Sequence, residues 1–213
     1  MNANLVGTIS LNIAVVIYLT QYLPQLYHNK TVAHLKNMSL TFHFIFFIAY
    51  LSDFIYAFGM HMPWQYVLVN IVGLIALLIQ HRQLTRVYNG MLLNAMLMVF
   101  ILFFMVGVSF IVIKQSEQFY INMELVSYAG FLTFRMPQLY RNWRLKTGQA
   151  LSKSYLFLSL ACTLCDNISG WCLDWPWPNK LGAFILLIFI LLLIGQTMHY
   201  RKKQEIIGFY VLK

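Results

Sequence analysis

The stretch Thr20-Gln-Tyr-Leu-Pro24-Gln25-Leu26-Tyr27-His28-Asn29 returns 113 residues later as Thr133-Phe-Arg135-Met-Pro137-Gln138-Leu139-Tyr140-Arg141-Asn142. Carried forward without gaps, the same offset matches Ser39 with Ser152, Phe44 with Phe157, Asp53 with Asp166, and Pro63-Trp64 with Pro176-Trp177. From 19 to 64, 14 of 46 positions are identical to their partners. Shared hydrophobicity supplies matched Leu or Phe. It does not supply a matched Pro-Gln, Asp and Pro-Trp in one register. The chain therefore contains an internal duplication, and its fold must use one supersecondary unit twice.

The medium follows from composition. The chain is 60% hydrophobic and 10% charged, against about 25% charged in a soluble domain. Long apolar runs give seven expected spans, each able to cross a bilayer as a helix. They cover about Leu5–Leu26, Met38–Met62, Gln65–Gln80, Val87–Ile113, Phe119–Tyr140, Ser154–Leu173 and Leu181–Tyr200. Residues 1–29 hold no Lys, Arg, Asp or Glu. With no basic leader and no small-residue cleavage site, the first run is expected to remain as a span rather than be removed as a signal peptide.

Lys and Arg are divided by side. The segments after spans 1, 3, 5 and 7 carry Lys30, Lys36, Arg82, Arg86, Arg141, Arg144, Lys146, Lys153, Arg201, Lys202, Lys203 and Lys213. Those after spans 2, 4 and 6 carry Lys114 and Lys180. That bias sets the amino terminus outside and the carboxyl terminus in the cytoplasm. It also accounts for the formal charge of +9 without nucleic acid, since no basic stretch forms a groove-sized face. Cys162-x-x-Cys165 lies inside an apolar run, where small thiols pack, and a four-ligand zinc site would need a second pair.

The expected fold is an all-α membrane protein with seven transmembrane helices, two parallel three-helix bundles joined by helix 4 in a 3+1+3 order. Residues 1–82 form the first repeat, 83–116 the linker helix, 117–200 the second repeat and 201–213 a basic cytoplasmic tail. The odd linker lets both repeats run the same way through the membrane.

Two Pro-Gln motifs at cytoplasmic helix ends, each followed by a basic loop and a Ser, resemble the PQ-loop family. This family lies in the wider group of the sugar-transporting SWEET proteins. Both motifs are complete: Leu23-Pro24-Gln25-Leu26-Tyr27 with Asn29, and Met136-Pro137-Gln138-Leu139-Tyr140 with Asn142. The resemblance implies alternating-access transport by two bundles around a central site, with the prolines as bending points. Better-known members include lysosomal exporters of cystine and of cationic amino acids, and bacterial vitamin and sugar carriers. The retrieval receptors of the endoplasmic reticulum share a similar fold. The chemistry of proline agrees, since Pro24 and Pro137 each remove a backbone donor and push away the carbonyl four residues earlier. Gln25 and Gln138 offer amides that could pair with the freed groups; a static kink is the plainer alternative.

Ionisable groups inside a membrane helix are costly and are functional candidates by default. Asp53 and Asp166 hold equivalent places, about 21 Å along their helices from the cytoplasmic end at ~1.5 Å per residue. In parallel repeats they are expected to face one another. Two facing carboxylates repel when both are ionised, and a proton gained or lost at one relieves the pair. Each alone could equally be a structural hydrogen-bond acceptor. Asn167 follows Asp166 where Phe54 follows Asp53, so the site is not symmetric. Asn70, Asn12 and Glu124 are further cavity candidates, Glu124 with a snorkelling alternative. Arg135 fits a gate charge, a partner for a substrate carboxylate, or an interfacial arginine. The run Phe42 to Phe47 reads as packing or lipid-facing surface, and His43 within it as structural.

These features favour a secondary transporter of a small polar solute, an amino acid or amine first, coupled to protons. The alternatives are a SWEET-like facilitator of sugar or another neutral solute, and a receptor or sorting protein on the same fold. An enzyme lacks a nucleophile–base or metal constellation, and nothing calls for a cofactor. Expected partners are a small-molecule substrate, protons and the bilayer, with a homo-oligomer open. Short undecorated outer loops fit a bacterial inner membrane better than a lysosomal one.

Overall fold

A computed structural model describes residues 2–113, 117–175 and 177–211. Lys114, Pro176 and Lys213, used in the sequence argument, lie outside the described residues. The described residues are all-α: α1 (Ala3–Thr20), α2 (Tyr22–His28), α3 (Val32–Lys36), α4 (Leu40–Gly59), α5 (Trp64–Leu84), α6 (Gly90–Val112), α7 (Glu117–Thr133), α8 (Arg135–Leu145), α9 (Lys153–Cys172) and α10 (Trp177–Val211). Five segments are long and apolar enough to cross a membrane: Ala3–His28, Leu40–Gly59, Trp64–Leu84, Gly90–Val112 and Lys180–Lys203. The other two expected spans, over α7–α8 and α9, are helical as read from the sequence. They carry Glu124, Arg135 and Asp166 and are not among the five. The expected tail begins inside a helix, since α10 continues past Tyr200 to Val211.

Two compact units form. One contains 1–39 and 135–213, hence α1–α3 and α8–α10; the other is 40–134, hence α4–α7. The units of packing thus cut across the repeats of sequence. Within the first, α1 lies along α9; within the second, α7 lies along α4. In each unit the first helix of one repeat meets the second helix of the other.

The α1–α9 contact shows why these residues sit where they do. Leu5, Ile9, Ile13 and Val16 form an exposed stripe, while Gly7, Ser10, Ala14 and Gln21 are buried. Small and polar residues face the partner helix, as expected where lipid is as apolar as leucine. Ser10 Oγ donates to the Cys165 carbonyl at 3.0 Å and Ser169 Oγ to that of Gly7 at 3.2 Å. Ser159 Oγ donates to Gln21 Oε1 at 3.0 Å.

The core of the 40–134 unit is aromatic. Phe46 stacks on Phe134 at 4.2 Å and Phe47 on Phe100 at 3.9 Å between ring centroids. The Phe42–Phe47 run is therefore packing surface, with Phe42, Phe46 and Phe47 buried. Buried His43 joins it through a hydrogen bond between its Nε2 and His81 Nδ1 at 3.1 Å, and His81 Nε2 contacts the Leu93 carbonyl at 3.1 Å. A side chain at Gly73 would collide with the Tyr50 ring, and one at Gly130 with Ala49.

The repeat is visible at helix ends. His61 and Asp174 are equivalent positions, and both take positive φ, 52° and 51°. The Met62 N–H bonds to the Ala57 carbonyl at 2.9 Å, and the Trp175 N–H to that of Gly170 at 3.0 Å. Both are left-handed helix caps of the Schellman kind.

Candidate functional site

The Pro-Gln helices are interrupted at equivalent places. The helices break for one residue, Gln21 between α1 and α2 and Phe134 between α7 and α8, although both N–H groups still bond back one turn, to the Ile17 carbonyl at 2.8 Å and the Gly130 carbonyl at 2.9 Å. Each lies three residues before its proline. Gln21 keeps helical backbone angles, φ −59° and ψ −26°. The threonine hydroxyls beside the gaps bond backwards in matching fashion, Thr20 to Val16 and Thr133 to Ala129.

The glutamines do not turn to those gaps. Gln25 Nε2 donates to Asn29 Oδ1 at 2.7 Å and to the Ala150 carbonyl at 3.1 Å, while its Oε1 accepts from the Ser152 N–H at 2.8 Å. Gln138 Nε2 donates to Asn142 Oδ1 at 2.7 Å and to the Asn37 carbonyl at 3.2 Å, and its Oε1 accepts from the Ser39 N–H at 2.8 Å. Every partner of one glutamine is the equivalent of a partner of the other. Each grips the segment that enters the second helix of the other repeat. Ser152 is the N-cap of α9, so its N–H belongs to a helix start that needs an acceptor. Both glutamines are buried.

The next residue but two repeats this exchange with a change of chemistry. His28 Nε2 meets the Gln149 carbonyl at 2.7 Å. Its equivalent Arg141 donates to the carbonyls of Lys36 at 2.7 Å and Asn37 at 3.1 Å. His28 also stacks on His34 at 3.7 Å.

The aspartates have unlike surroundings. Asp53 is buried in the 40–134 unit and its Oδ1 accepts from the Tyr66 hydroxyl at 2.7 Å and from Ser127 Oγ at 3.1 Å. Asn70 stands beside the same carboxylate, and Glu124 lies close enough to act on it by charge. Asn70 is itself buried, with Oδ1 lacking a partner. Glu124 bonds Tyr56. Two carboxylates, two amide or hydroxyl donors and two phenols thus gather in one unit. Asp166 is half-buried in the other unit, where its Oδ2 accepts from the Tyr18 hydroxyl at 2.7 Å. The divergence is legible by register: Ser127 corresponds to Ala14, and Tyr18 to Phe131, neither of which can donate.

The remaining candidates take other places. Asn167 Nδ2 bonds the Thr163 carbonyl at 2.8 Å and the Ala183 carbonyl at 2.9 Å, joining α9 to α10. Asn12 is exposed on α1. Arg135 is buried and donates to the Leu186 carbonyl at 3.3 Å. In the loop after α9, the Lys180 ammonium beside Asp174 holds its carboxyl below the usual carboxylate range. Tyr18, Tyr66, Ser127, His28 and Arg141 were not singled out by sequence. Only the His28–Arg141 pair carried a signal, through its register beside the motif.

A family model described as a PQ loop repeat matches residues 6–66. Comparison with curated proteins finds no sequence match. Among solved structures, that of a eukaryotic SWEET transporter is similar, with a TM-score of 0.66 at 13% identity, covering 95% of this chain and 100% of that one. The fold is thus SWEET-like, and the protein is an integral membrane protein. Residues 6–66 are thus similar to the PQ-loop repeat, and the whole chain shares its fold with a SWEET transporter.

Proposed function

We propose that this protein is a secondary transporter of a small polar solute, an amino acid or amine first, working by alternating access and coupled to protons. The PQ-loop match over residues 6–66 and the SWEET-like fold support a transporter-like role. The observation that carries the finer reading is the pair of equivalent intramembrane aspartates, each held by a tyrosine hydroxyl, with Glu124 and Asn70 gathered at Asp53. An intramembrane carboxylate persists only where function or pairing sustains it. Here an acceptor-rich centre suits a proton or an ammonium group. The same reading takes seven spans in a 3+1+3 order, the amino terminus outside, Pro24 and Pro137 as hinges, and a bacterial inner membrane.

A facilitator of sugar or another neutral solute is the second reading, favoured by the SWEET-like fold. Purified protein in liposomes with an internal pH dye separates the two. Pooled amino acids, amines and sugars are supplied under an imposed gradient. Solute-dependent proton movement, lost in Asp53→Asn or Asp166→Asn, is the expected result. Solute uptake without proton movement, equal in both variants, would overturn the coupled reading in favour of the facilitator.

A further inference from the structure

Equivalent helix faces beside the two motifs carry similar exposed series, with the cation at a different register in each. On α2 and the turn after it the series is Leu23, Tyr27, Lys30, spaced i, i+4, i+7. On α8 it is Met136, Tyr140, Trp143 at the same positions of the second repeat, followed by Lys146. Tyr27 is 72% exposed, Tyr140 59% and Trp143 55%. Leu23 and Met136 are exposed as well. Each series ends in an ammonium over an aromatic ring. Lys30 Nζ lies 4.7 Å from the Tyr27 centroid, and Lys146 Nζ 4.8 Å from that of Trp143.

The surroundings are uniformly cationic. Segments 28–39, 141–153 and 199–203 contain nine Lys and Arg and no Asp or Glu. Backbone contacts hold these segments together in one unit. Arg141 reaches the carbonyls of Lys36 and Asn37, and Arg201 those of Gly148 and Leu151 at 2.8 Å. Such a surface repels itself and calls for an anionic partner. The order along each helix says which one. An apolar side chain, then an amphipathic ring, then an ammonium follows the sequence acyl chain, glycerol region, phosphate through one bilayer leaflet. A soluble polyanion would use the cations and leave the exposed rings and Leu23 without a role.

We propose that these two faces are seats for anionic phospholipid, with the acyl chain along Leu23 or Met136, which are repeat-equivalent, and the phosphate at Lys30 or Lys146, which are not. The seats need no assumption about transport.

The test uses the full chain in phosphatidylcholine vesicles carrying a minor fraction of brominated phosphatidylglycerol or brominated phosphatidylcholine, with Trp143 fluorescence isolated as the difference from Trp143→Phe. Quenching by the phosphatidylglycerol should exceed that by the phosphatidylcholine, by about fivefold in effective affinity for a one-cation seat. The preference should fall in Lys30→Gln/Lys146→Gln and survive Lys202→Gln/Lys203→Gln, which removes as much charge elsewhere in the cationic surface. Equal quenching by both lipids would overturn the proposal. So would equal loss in the two double variants, which would leave only a diffuse surface potential. Displacement of the phosphatidylglycerol signal by soluble adenosine triphosphate would overturn it in favour of a soluble polyanion.

Discussion

Gln25 and Gln138 each satisfy three polar groups with one side chain. Replacing Gln25 with Ala takes the partner from the Ser152 N–H and the Ala150 carbonyl, at about 1–3 kcal/mol for each orphaned group, whereas in Gln138→Ala the Asn37 carbonyl keeps the Arg141 Nε–H. Gln25→Ala and Gln138→Ala should therefore both lower the melting temperature in detergent, Gln25→Ala by more because Arg141 still holds the Asn37 carbonyl when Gln138 is gone. Equal effects would show that Arg141 does not make up for the lost amide. The neighbouring pair is not equal. Arg141 holds two carbonyls with a permanent charge, while His28 holds one. Arg141→Ala should thus cost more than His28→Ala, and His28→Arg should raise the melting temperature if the added fork finds the second carbonyl. The motif itself was legible because Pro-Gln recurs in register. The destinations of the glutamines were not. Spacing suggested that their amides meet the freed carbonyls nearby, whereas the stronger demand came from helix starts more than 95 residues away, which a single sequence does not reveal.

At the scale of elements, prolines and apolar runs announced most helices, and the interruptions fall where Pro24 and Pro137 remove a donor. What sequence missed has physical reasons. Five-residue α3 is too short to nucleate alone and is held by fully buried Leu35. Gly148 reads as a turn glycine, yet the left-handed residue beside it is Lys146, at φ 51°. Gly148 is small because a Cβ there would meet the Thr197 carbonyl oxygen and Cα at 2.5 and 2.7 Å. Backbone cannot yield as a side chain does, so Gly148→Ala should destabilise by about 1–3 kcal/mol, read as a drop in melting temperature. Helix caps predict the opposite sign. His61 bears the left-handed penalty of a side chain in an exposed cap, and His61→Gly should gain up to about 1 kcal/mol. A loss instead would mean that the imidazole has a role that its exposure conceals.

For the whole molecule, the register of the duplication states which residues are equivalent but not which helices touch. Both faces of α1 are apolar enough to sit against lipid or protein. Only the small residues Gly7, Ser10 and Ala14 hint at the buried side, and nothing in them names α9. The structure pairs the first helix of one repeat with the second of the other in both units, so the repeats are interwoven through their packing as well as through the glutamine clamps. Covalent trapping checks this directly. Cys162 Sγ lies 3.6 Å from the Ala14 carbonyl oxygen, placing its thiol against that turn of α1. Ala14→Cys, with Cys165 and Cys172 changed to Ser, should form an internal disulfide with Cys162 under mild oxidation, since neighbouring Cβ atoms about 3.5–4.5 Å apart suffice. Mass spectrometry of the linked peptides should join residues of the first repeat to residues of the second, and Cys162→Ser should abolish the link. Failure to crosslink in a folded sample would separate α1 from α9. It would also remove the arrangement in which Tyr18 can hold Asp166, and with it one of the two unlike environments of the paired aspartates.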